Sequence, residues 1–100
     1  VVYQPHLYSR TKTLLNDFAQ SFGDADEVIV APIYAAREAP DPEISSDILA
    51  EAIRAHKPNV HAGANFAEIE NYLRDTITPS DIVVTMGAGD IYKVGESLLD

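Results

Sequence analysis

His6, Tyr8 and Arg10 stand together in the opening stretch Val1-Val2-Tyr3-Gln4-Pro5-His6-Leu7-Tyr8-Ser9-Arg10-Thr11-Lys12. An imidazole, a phenol and a guanidinium so close together suit anion binding, ligand orientation or proton movement. A short β-type run precedes Pro5, and a helical pattern starts near Thr11. The trio therefore falls at the carboxyl end of a strand, where open α/β sheets place their ligands. Residue type alone leaves two readings for each group. Arg10 is either a clamp for a carboxylate or phosphate, or one half of a surface ion pair in an acidic protein. His6 is a general base, a ligand contact or a hydrogen-bonded loop residue beside proline.

Two further stretches carry candidate chemistry. Ile33-Tyr34-Ala35-Ala36-Arg37-Glu38-Ala39-Pro40 again sets a Tyr and an Arg after a β-type run, with the same two readings open. Gly87-Ala88-Gly89-Asp90 follows another such run. Glycines after a parallel strand let a ligand approach backbone amides, but they also serve a tight turn. The dinucleotide fingerprint needs a third glycine where Tyr92 stands, and it belongs to the first strand-helix unit of a fold. No Gly-Lys-Ser or Gly-Lys-Thr phosphate loop occurs. Asp90 is expected to cap the helix that follows.

Other classes of chemistry find no support. Without cysteine there is no disulfide scaffold, thiol nucleophile or thiolate metal site. His56 and His61 lie five residues apart with no convergent third ligand, so no metal site is expected. No Ser/His/Asp set stands at a readable spacing. A receiver domain would need acidic residues after the first strand and a Lys after the last, and both are missing. The net charge of -9 argues against nucleic-acid binding. It also makes tight binding of a polyphosphate by this chain alone unexpected. No apolar run reaches membrane-spanning length and no leader pattern opens the chain, so no membrane partner and a cytoplasmic location are expected.

The elements that must position these groups alternate. The 100 residues, 46% apolar and 23% charged, describe one ordinary globular domain. Val1–Tyr3 reads as a strand. Leu14, Leu15, Phe18, Ala19 and Phe22 recur at helical spacing, with Ser9 or Thr11 as cap and Gly23 as a left-handed stop. Glu27–Ala31 is a β-branched run typical of a strand covered on both faces. Ser45-Ser46-Asp47 offers caps for a helix with Ile48, Leu49, Ala52 and Ile53 inward, ending before Pro58 with Lys57 at its C-terminal dipole.

Asn59–Ala62 is the weakest strand. Asn65 with Glu68 resembles a capping box, ahead of Phe66, Ile69, Leu73 and Ile77 on one helix face. Ile82–Met86 is the clearest strand, and a last helix carries Ile91, Val94 and Leu98 and stops at Asp100. Four strand-helix units in strict alternation imply a parallel sheet with right-handed crossovers. The fold class is an open, mostly parallel α/β sheet with helices on both faces, since a barrel needs about eight such units.

Tyr3-Gln4-Pro5-His6-Leu7-Tyr8-Ser9-Arg10-Thr11, Asn16-Asp17-Phe18, the Ile33–Pro40 loop and Thr85-Met86-Gly87-Ala88-Gly89-Asp90-Ile91 together carry a resemblance. In this order and spacing they resemble the C-terminal domain of the Mur ligase family, the amino-acid-adding ligases of bacterial peptidoglycan synthesis. The resemblance spans nearly the whole chain. Among these it resembles members that add L-alanine to UDP-N-acetylmuramate. It implies a Rossmann-like domain belonging to an ATP-dependent carbon–nitrogen ligase. ATP would turn the muramoyl carboxylate into an acyl phosphate, which the alanine amine attacks. ATP and Mg2+ would be held mainly by a central domain, and the UDP-sugar by an N-terminal one.

Carried over position by position, the resemblance implies catalytic roles for His6 and Arg10 and an amino-acid pocket with Tyr34, Glu38 and Arg10. It implies a cofactor-facing turn with Gly87, Gly89 and Asp90. Leu7 stands where many members have an Arg. The family's domain opens with a further strand-helix unit bearing an Asp-Tyr-Gly-His-His-Pro-type motif. The chain is therefore expected to be residues 1–100 of a domain truncated at its N-terminus, inactive alone, with an open sheet edge. The rival class is a non-catalytic α/β module binding an anionic metabolite or a protein.

Overall fold

A computed structural model describes residues 1–99. Its four strands are β1 (Val2–Tyr3), β2 (Val28–Val30), β3 (Val60–Ala62) and β4 (Thr85–Met86). They form one sheet in the order β3-β2-β1-β4, every neighbouring pair parallel. The helices are α1 (Tyr8–Thr13), α2 (Leu15–Ala19), α3 (Ser46–Arg54), α4 (Phe66–Thr76) and α5 (Tyr92–Leu98). The expected alternation and parallel sheet are both present. The expected helix stop at Asp100 lies outside the described residues.

The two-residue period of a strand explains the layering. Val28 and Val30 point to one face, where Phe22, Leu49, Ala50, Ile53 and Val60 bury them. Ile29 and Ala31 point to the other, packing with Val2, Ile69, Leu73, Ile91 and Val94. Helices α2 and α3 thus cover one side and α4 and α5 the other.

Ser45 caps α3 by accepting from the Ile48 amide at 3.1 Å. Asn65 caps α4 in the same way, from Glu68 N at 2.8 Å. The return arm of that capping box goes to Ala64 N rather than to Asn65, with Glu68 Oε1 at 3.4 Å. The Lys57 ammonium donates to the Ala25 carbonyl, tying the turn after α3 to the approach to β2.

Several expectations need correction. Neither Ser9 nor Thr11 caps the first helix; its N-cap is Leu7, with no side-chain cap bond. The first helix also breaks at Leu14, whose φ of -103° and ψ of 19° separate α1 from α2. Leu14 is 39% exposed at this break, and Thr11 takes an inward position one turn earlier. Thr11 can do so because its hydroxyl donates to Leu7 O at 2.7 Å. Gly23 does not adopt the left-handed conformation: the positive-φ residues described are Leu7 at 69° and Ala36 at 54°. On α3, Ala50 rather than Ile48 joins Leu49 and Ile53 in the core, and Ile48 is left exposed.

The largest correction concerns β4. The run Ile82–Met86 reads as the clearest strand, yet only Thr85 and Met86 are strand. It pairs on one side only, with β1, so no strand pairs with its outer edge among the described residues. Ile82 is 87% exposed as a result. Hydrophobicity marks a segment that pairs, and it cannot tell an edge from a centre.

Candidate functional site at the strand ends

The pairing of β1 with β2 does not stop where the strands end. Tyr34 N donates to Pro5 O and Leu7 N donates to Tyr34 O, both at 2.8 Å, around an isolated parallel bridge between His6 and Tyr34. Pro5 lacks a donor, but its carbonyl is free to take part. This short extension carries both residues past the sheet and sets their rings 5.7 Å apart in a stacked arrangement at 27°.

Leu7 then turns the chain into α1 with a positive φ, a conformation that costs a branched residue about 1–3 kcal/mol. The turn brings Arg10 back over His6, with Nη1 2.9 Å from Nδ1. No second cation stands at Leu7, which is half-buried as the N-cap.

Glu38 reaches the same corner from the β2–α3 loop. Its carboxylate accepts from Ser9 N at 3.2 Å and from the Ser9 hydroxyl. The carboxyl is held below its ordinary range, first by the Ser9 hydroxyl and then by backbone amides of Ser9 and Tyr8. Glu38 thus caps α1 across the chain, satisfying amides that α1 has no local side chain to satisfy. Nearby, Lys12 pairs with Glu43 and, at 3.5 Å, with Asp41, fastening the same loop to α1.

Gly87 and Gly89 enter the site from the end of β4. A Cβ on Gly89 would lie 2.8 Å from Tyr34 Cδ2 and 3.1 Å from Gln4 Oε1. One on Gly87 would lie 3.1 Å from both Gln4 Cβ and Gln4 O. A Cβ at Gly89 would thus require the Tyr34 ring to move, while one at Gly87 would crowd Gln4 and Ile91. Asp90 forms no side-chain cap on α5, whose N-cap is Ile91. It pairs instead with Lys93 at 3.8 Å, an exposed pair of small energetic value.

Of the residues singled out in the sequence, His6, Arg10, Tyr34 and Gly89 converge, and Glu38 joins them through Ser9. Gly87 touches the group through Gln4, while Asp90 is engaged with Lys93. Arg37 is exposed and joins none of the ion pairs among the described residues.

Gln4 was not singled out as a site residue. It shares a strand face with Val2 in the core, and it is 5% exposed. Its amide Nε2 donates to Pro32 O at 3.3 Å, joining the ends of β1 and β2. The available signal was its parity: a polar residue two positions after a core valine needs a buried partner.

The other histidines stay apart from this site. His61 stacks on Tyr72 at 4.5 Å, and its Nδ1 lies 3.9 Å from Glu27 Oε2. Tyr72 donates to Glu27, and that bond raises the phenol's pKa. Among the described residues no group of three or more His, Cys, Asp or Glu is placed to hold a metal ion.

The converging groups offer one guanidinium, one imidazole and one phenol at the carboxyl ends of parallel strands. A guanidinium only donates, so His6 Nδ1 accepts from Arg10 and the ring carries its proton on Nε2. The arrangement suits a small ligand bearing a carboxylate. Two cavities of about 380 and 370 Å3 lie elsewhere, one lined by Glu27, Leu73 and Ile82, the other by Tyr3, Phe18, Phe22 and Met86. The strand-end site itself is open to its surroundings.

Residues 1–89 match the family model described as "Mur ligase, glutamate ligase domain". The chain is 49% identical over 98 residues to the UDP-N-acetylmuramate–L-alanine ligase of Acetivibrio thermocellus, covering 98% of this chain and 21% of that protein. It is 52% identical over 99 residues to the protein of the same name from Lachnospira eligens, covering 99% and 22%. For that of Desulfitobacterium hafniense the identity is 50% over 99 residues, covering 98% and 22%. The chain thus spans about a fifth of the length of these relatives.

Proposed function

This chain belongs to the Mur ligase family, and on that premise we propose that it is the C-terminal part of an ATP-dependent ligase joining L-alanine to UDP-N-acetylmuramate. The observation that carries this reading is the Arg10–His6–Tyr34 group at the strand ends, within a chain about half identical to proteins of that name. In this reading Arg10 holds the alanine carboxylate, a task suited to a planar guanidinium. His6, fixed in one tautomer by Arg10, offers its Nε2–H to the reacting groups. Tyr34 forms a wall of the amino-acid pocket, and Glu38 supports that wall by holding the loop against α1.

The residues present do not fit a magnesium ion or a polyphosphate by themselves, since no cluster of metal ligands and no phosphate loop occurs among those described. We therefore assign ATP and Mg2+ mainly to parts of the longer protein outside this chain, along with the UDP-sugar site and the first strand-helix unit of the domain. ATP supplies the activation of the muramoyl carboxylate for attack by the amine. The assignment of Gly87, Gly89 and Asp90 to the cofactor rests on resemblance, and their packing here adds nothing to it. A cytoplasmic setting suits these substrates, and no helix among the described residues is long and apolar enough to cross a membrane.

The test is phosphate release by the full-length protein with UDP-N-acetylmuramate, ATP and L-alanine. Release that requires all three supports the ligase. No release with L-alanine or any other amino acid overturns it and leaves the non-catalytic binding module. The 100-residue chain alone is expected to show no turnover, and submicromolar ATP affinity in isothermal titration would contradict the division of labour proposed here.

A further inference from the structure

Gln4 Oε1 is a buried side-chain atom without a hydrogen-bond partner. Native folds seldom leave such an acceptor unpaired, because its lost water is not replaced. Its orientation is set by chemistry. The amide nitrogen must face Pro32 O, 3.3 Å away, since two carbonyl oxygens would repel. The oxygen must then face the other way, toward Gly89 and Tyr34.

At that spot the Tyr34 ring lies on the bare α-carbon of Gly89, with the oxygen close beside it. Tyr34 is 39% exposed, and its ring stacks on His6. An unpaired acceptor therefore sits under a partly exposed ring at the wall of the site. The main chain of Tyr34 is held by its bonds to Pro5 and Leu7, so a rotation of the ring would leave its residue in place.

We infer that Gln4 is a specificity-determining residue: once the Tyr34 ring swings off Gly89, Gln4 Oε1 accepts an N–H from the amine of the incoming amino acid. This rests on reading the site as the amino-acid side of a ligase. Arg10 then reads the carboxylate and Gln4 the amine, so the site separates an amino acid from a simple carboxylic acid.

The experiment measures KM for L-alanine and the inhibition constant of propionate, a carboxylate without an amine, in the full-length ligase. In Gln4→Met, similar in length but without the acceptor, KM for L-alanine should rise about tenfold while propionate inhibits as before. Equal losses for both ligands, or no change in either, would overturn the inference. Should Gln4→Met not fold, Gln4→Glu decides. Its anionic oxygen should favour the amine and repel propionate, widening the ratio of the two constants; an unchanged or narrowed ratio overturns the inference. A wild-type protein that turns over no L-alanine overturns this inference together with the ligase reading, whereas a working wild type with an unmoved ratio overturns this inference alone.

Discussion

Arg10 Nη1 lies 2.9 Å from His6 Nδ1, one turn apart at the start of α1. The contact does two things at once. It uses one of the five guanidinium donors to fix the imidazole tautomer, and it leaves the others free for a ligand. A histidine beside a proline and an arginine on a helix thereby become one device.

Arg10→Ala in the full-length protein is expected to raise KM for L-alanine or lower kcat by on the order of 100-fold, the scale of one lost electrostatic clamp. Arg10→Lys should recover only part of that, because an ammonium is a point charge without the planar fork. Steady-state kinetics checks both, and unchanged constants would return Arg10 to a surface role.

Two glycines make opposite predictions. A Cβ on buried Gly63 would lie 2.3 Å from Ile69 Cγ1, inside the core that Ile69 shares with Leu73. Gly63→Ala should therefore cost about 1–3 kcal/mol in urea unfolding, the usual effect of overpacking. Gly23 has no heavy atom within 4 Å of its added Cβ and no positive φ. Gly23→Ala should be neutral, or stabilise by about 0.4–1 kcal/mol through a less flexible unfolded chain. Equal effects from the two substitutions would contradict the packing described.

The Glu38–Ser9 cap should show in acid. The folded carboxyl has a lowered pKa, chiefly because the Ser9 hydroxyl bonds it. Its contribution is therefore present above the ordinary carboxylate pKa and is lost as pH falls through the lowered value. The stability difference between wild type and Glu38→Gln should shrink over that window and vanish below it. A difference that stays constant from neutral to acid pH would rule the charged cap out.

The uncovered edge at β4 predicts self-association of this chain when it is studied alone. Ile82 and Val84 are exposed, at 87% and 44%. Replacing both by Lys should lower the weight-average mass in sedimentation while changing folding stability by no more than about 0.5 kcal/mol per site. If the mass is unchanged by the double substitution, the edge is not the sticking surface.

Much of the frame could be read directly from residue patterns. Val28–Val30 and the face carrying Ile69 and Leu73 follow from periodicity, and Ser45 and Asn65 cap as their side chains dictate. The misreadings arise from contacts, some local and some distant, that a residue pattern does not show. Thr11 is buried because its hydroxyl bonds back to Leu7, and Leu14 is exposed where the helix breaks. Glu38 serves as the cap for α1 from 29 residues away. Met86 lies at an edge because of strand order, which local pattern does not encode. In the site, residue types pointed to Arg10 and His6, but their bond needed the turn at Leu7, and the surroundings of the buried Gln4 emerged only from strand ends meeting.

The main-chain bonds from Tyr34 to Pro5 and Leu7 have a consequence for redesign. They hold position 34 in place through atoms that every residue except proline carries. The side chain there is thus a replaceable tile on a fixed frame, its size limited by Gly89 beneath and His6 beside it. A smaller tile would enlarge the pocket without shifting Arg10, so exchanges at position 34 are the natural place to begin retuning which ligand the strand ends accept.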